Sequence, residues 1–72
     1  MEYVINLTWD PDAAVWIATS KDIPGLVLES GSFDALVERV RFAVPELLAL
    51  NGVKESPCVV TFQSERRERI AM

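Results

Sequence analysis

The chain of 72 residues contains no histidine and a single cysteine, Cys58. The absence of histidine removes the side chain that most often serves as a general base near neutral pH and as a metal ligand. It also excludes every Ser–His and Cys–His nucleophile pair. One cysteine cannot close an internal disulfide. Uninterrupted apolar stretches are only a few residues long, too short for a membrane-spanning helix. The first residues, Met1-Glu2-Tyr3-Val4, have neither the basic region nor the apolar run of a signal peptide, so a cytoplasmic location is expected. Asparagine and glutamine are also scarce, two and one, a profile poor in thermolabile side chains and frequent in thermophilic proteins. What remains is a globular composition: half hydrophobic, a quarter charged, with a mean hydropathy of +0.19. It suits one small domain and leaves no room for a second.

Positive charge is the scarcer sign, and it is unevenly placed. Residues 1–60 carry four basic and nine acidic side chains, a net −5, whereas residues 61–72 carry three and two, a net +1. An acidic body repels a phosphate backbone, so DNA is a poor default partner and a basic protein a better one.

Residues 2–9 alternate with period two, Tyr3, Ile5, Leu7 and Trp9 against Glu2, Val4, Asn6 and Thr8, which predicts a strand. Asp10-Pro11-Asp12 is turn chemistry, and residues 15–19 follow as a second strand rich in β-branched and aromatic side chains, so an antiparallel hairpin is expected. Asp22, Pro24 and Gly25 form a turn-making group: Ile23 must be extended before proline, and Pro24-Gly25 suits the centre of a type II turn. Residues 26–30 predict a third strand. Ser32 is the expected N-cap of a helix over residues 33–50, where Leu36, Val37, Val40, Val44 and Leu47 form one apolar stripe. Asn51-Gly52 stops it, and Pro45 predicts a kink or break near residues 41–44. Residues 58–63 predict the last strand. The end of the chain is compatible with a strand extension, a short helix or a frayed tail.

The fold class is therefore α+β, β-β-β-α-β, with one helix on one face of an antiparallel sheet. Residues 1–64 are expected to form the domain and residues 65–72 a tail ordered only when a partner chain holds it. One helix covers one face of such a sheet, yet the second strand is apolar on both sides. The uncovered face, assigned here to Val4, Trp16, Ala18 and Val27, is expected to meet a second chain, most simply in a homodimer.

Three segments at this spacing, Trp16-x-Ala18, Asp22-Ile23-Pro24-Gly25-Leu26 and Gly31-Ser32-Phe33-Asp34-Ala35-Leu36, resemble the core signature of HicB-like antitoxin domains. The resemblance extends from Tyr3 to about Asn51, and residues 43–51 are similar to a small offshoot of that superfamily. It implies a partial ribonuclease-H-like fold and, as partner, a small basic ribonuclease toxin of the HicA type. Typical members add a C-terminal DNA-binding module, whereas here about ten residues follow the last predicted strand.

Two-metal nuclease chemistry needs several carboxylates converging on one point. Asp10 and Asp12 share a turn and Glu2 begins the first strand, so the aspartates are read as turn formers, and no catalytic, cofactor or metal site is expected. Cys58 is read as a packing residue, and Arg66, Arg67 and Arg69 as a solvated tail or an intersubunit salt-bridge donor. The expected function is protein binding in the manner of a HicB-like antitoxin domain, without enzymatic activity. The alternatives are an orphan homo-oligomeric domain and, less favoured, a residual metal-dependent nuclease.

Overall fold

Alternation in the first segment becomes a nine-residue strand, β1 (Glu2–Asp10), in which Tyr3, Ile5 and Leu7 are buried while the residues between them are half-buried or exposed. A computed structural model of the chain describes residues 2–54 and 57–71. The remaining elements are β2 (Val15–Thr19), β3 (Val27–Ser30), the helix α1 (Phe33–Leu50) and β4 (Val59–Glu65). The α+β architecture and the element order are those expected from the sequence.

The sheet order is β3-β2-β1-β4. β1 and β3 pair antiparallel with β2, but β4 pairs parallel with β1. The sheet is thus mixed rather than wholly antiparallel. The crossover explains this: one helix carries the chain back to the end where β3 began, so β4 must run in the direction of β3, which is also that of β1.

Ser32 caps α1 as expected, its Oγ accepting from the Ala35 amide at 3.2 Å, and Asp34 lies in the first turn, where a negative charge suits the dipole. At the other end the Val53 amide donates to the Leu48 carbonyl and the Gly52 amide to Ala49, a Schellman closure that requires the left-handed φ of +79° at Gly52. The predicted break at Pro45 is absent, since α1 runs continuously through it. Pro45 and Arg41 are both exposed, so water can reach the carbonyl that proline leaves without a donor. Buried Val44 and Leu48 on either side of Pro45 hold the helix to the core. Ile5, Leu7, Ile23, Leu36 and Val40 fill the space between helix and sheet, each fully buried and contributing on the order of 1.5–3 kcal/mol.

Candidate functional site

Strand register decides which residues each face presents. Leu7 pairs with Ala18 and Trp9 with Trp16, so the even positions of β2 share the helix-covered face with the odd positions of β1. Ala18 is fully buried there, and the Trp16 ring meets Phe33 of α1 edge-on at 4.9 Å. Trp16 and Ala18 therefore do not belong to the uncovered face to which the sequence assigned them. Val4 and Val27 do lie on it, Val4 opposite Thr61 of β4 and Val27 opposite Thr19 of β2. The assignment failed for Trp16 and Ala18 because β2 is apolar on both sides, so composition does not distinguish them. The parity of the hairpin connection does.

The open face is built from alternate residues of all four strands. Val4, Val15, Ile17, Val27 and Val59 form its apolar part, and Asn6, Thr8, Thr19, Thr61 and Gln63 its neutral polar part. Its charges are all of one sign: Glu2, Glu29, Glu65 and Asp10, with no lysine or arginine among the strand residues of that face. Asp10 is partly committed, its Oδ1 accepting from the Asp12 and Ala13 amides at 3.0 and 3.3 Å. The three glutamates have no ion-pair partner among the described residues. Ile17 lies between Thr8 of β1 and Glu29 of β3, so the apolar centre adjoins the acidic groups.

The other residues singled out from the sequence take structural places. Leu26 donates its amide to the Ile23 carbonyl at 3.3 Å across Pro24-Gly25, with Gly25 at φ +87°, the geometry of a type II turn. This turn sends Ile23 and Leu26 into the core. Asp22 Oδ2 accepts from the Val4 amide at 2.8 Å, and Ser20 Oγ donates to the Val4 carbonyl at 2.7 Å. Together they prolong the pairing of β1 beyond the end of β2. Glu2 and Asp10 stand at opposite ends of β1, about 26 Å apart at strand rise, and no group of three or more potential metal ligands occurs among the described residues. Cys58 is free and half-buried.

Arg66, which the sequence places in a solvated tail, has a definite position. Its guanidinium carbon lies 4.3 Å from the centroid of the Trp9 ring and 6.0 Å from that of Trp16, and its Nε is 2.7 Å from Glu68 Oε1. The two indoles are 5.4 Å apart, so Arg66, Trp9, Trp16 and Phe33 form a continuous stack at the β4-exit end of the covered face. A period-two count carried one residue beyond β4 would have set Arg66 beside Trp9, because β1 and β4 are in parallel register there.

Comparison with protein families matches residues 2–72 to DUF1902, described as a domain of unknown function. The chain belongs to the DUF1902 family. Among solved structures, the DUF1902 domain is similar to a hypothetical protein, TTHA1013, from the extremely thermophilic bacterium Thermus thermophilus. The two are 34% identical with a TM-score of 0.76, over 100% of each chain. No curated protein matches this DUF1902 domain significantly. No helix among its described residues is long and apolar enough to cross a membrane.

Proposed function

We propose that this DUF1902 domain is a non-catalytic, cytoplasmic protein-binding module whose open sheet face takes a small basic protein. The observation that carries this reading is the composition of that face, apolar at Val4, Ile17 and Val27 and with only acidic charges among its strand residues. An apolar centre beside charges of one sign gives both a desolvated contact and electrostatic selection of the partner. The sequence resemblance to HicB-like antitoxin domains supplies the chemical class, a HicA-type ribonuclease toxin neutralised by occlusion of its basic surface. Against a residual nuclease stands the separation of Glu2 from Asp10 along β1, together with the engagement of Asp10 in its own turn.

The test is isothermal titration of the purified domain with the HicA-type toxin encoded in the same genome, alongside co-expression with that toxin. We expect a stable complex and restored growth, both lost in the Ile17→Lys, Glu29→Lys double variant with the fold retained. Absence of any complex, or a complex indifferent to those substitutions, would overturn the proposal.

A further inference from the structure

Beyond β4 the chain leaves the body of the molecule. Residues 66–71 have no regular secondary structure, and every one of them is exposed. The principal extents are 51 × 18 × 18 Å and the radius of gyration is 13.6 Å, against about 11 Å for a compact chain of this length. β4 and residues 66–71 together make 13 residues, about 43 Å in extended form, and because Glu65 stands opposite Thr8 the last four of them run past the end of β1 and supply much of the long axis. The Arg66–Glu68 ion pair joins residues two apart, as extended backbone permits. In that conformation Arg67 and Arg69 continue the open-face side of β4, and Ile70 continues the side of Val60 and Phe62. Ile70 is 76% exposed, and Arg67 and Arg69 have no ion-pair partner among the described residues.

The body is incomplete on the same side. β4 is an edge strand, so one row of its backbone groups has no strand neighbour. The helix lies over β2 and β3, and on the covered side of β4 Cys58, Val60 and Phe62 are only half-buried. The opposite edge is better protected: β3 has four residues, packs under α1, and has its Glu29 carbonyl taken by Arg39 Nη1 at 2.9 Å. Val59 is 54% exposed beside Glu2, its partner in β1.

We propose that two copies of this chain pair antiparallel along β4 about a two-fold axis, each arm of residues 66–71 lying along the start of the other copy's β4. The charges favour a second copy as the occupant, because the arm region is net positive and the body net −5. Antiparallel pairing brings Arg67 and Arg69 of one copy toward the Glu2 end of the other on the open-face side. On the covered side it brings Ile70 toward the half-buried Cys58 and Val60. The two sheets become one of eight strands, and both open faces remain free for another partner.

Sedimentation equilibrium on the full chain and on a chain ending after Arg66, which keeps the Trp9 contact, tests this. We expect the full chain to be dimeric at micromolar concentration and the shortened chain to be monomeric with an unchanged circular dichroism spectrum. The Arg67→Glu, Arg69→Glu double variant, which leaves the body untouched, should raise the dimer dissociation constant at least about tenfold, since two exposed charge contacts are each lost twice in a two-fold dimer. If the shortened chain does not fold, this variant decides, and an unchanged constant overturns the proposal. A monomeric full chain, a dimeric shortened chain, or a dimer dissociated by Ile17→Lys but not by shortening would each overturn it as well. Toxin binding by the shortened chain separates this outcome from that of the open-face proposal.

Discussion

Ala14 closes the hairpin between β1 and β2 with φ +54°, a left-handed conformation that an L side chain adopts at a cost of about 1–2 kcal/mol. The two bonds from Asp10 to the amides of the same loop hold the turn in place despite that cost. Ala14→Gly should stabilise the domain by about 0.5–1 kcal/mol, relief of strain exceeding the added freedom of the unfolded chain. Thermal unfolding reads this as a midpoint higher by a few degrees, and an unchanged or lower midpoint contradicts it. Arg66 poses a complementary case at the far end of the indole stack. Arg66→Met keeps an apolar stem but removes the charge over Trp9, and should lower stability by about 0.5–1 kcal/mol. Tryptophan emission should change with it. Unaltered emission and stability would mean that the guanidinium contributes nothing.

Elements were legible where one periodicity dominated. The stripe Leu36, Val40, Val44 and the Ser32 cap fix α1, and the alternation of Tyr3, Ile5 and Leu7 fixes β1. Two things were not legible. The continuity of α1 through Pro45 depends on burial of Val44 and Leu48, a tertiary effect stronger than the local preference of proline. The facing of Trp16 and Ala18 depends on pairing Trp9 with Trp16, since a shift of one residue would turn β2 over. From the first of these, Pro45→Ala should stabilise the domain by about 1–2 kcal/mol, because it restores a helical donor at an exposed position. Urea denaturation checks this, and a loss of stability would show that α1 needs the ring.

At the scale of the molecule, a single helix buries the covered side of β1 and β2 but leaves the open face bare and the covered side of β4 only half-buried. A chain this short buries only about 60% of its unfolded surface, so unfinished surfaces of this kind are the normal consequence of its size. The sequence shows that shortage in its composition, but not where it falls, because the helix offset and the parallel placing of β4 are properties of the assembled sheet. The two unfinished regions differ in character. The open face offers side chains, apolar and acidic, whereas the β4 side offers backbone, so the titration and sedimentation experiments address separate surfaces of one body.

The parallel pairing of β1 with β4 also bears on how the protein is made. Glu2 pairs with Val59 and Thr8 with Glu65, so one side of β1 waits for β4, which is made about fifty residues later. Until residues 59–65 emerge from the ribosome, β1 has an unsatisfied edge with Tyr3, Ile5 and Leu7 incompletely buried. Such long-range pairing is slow to form. The nascent chain thus passes through an adhesive stage that lasts until β4 has emerged and paired, and chaperone demand should be greatest in that interval.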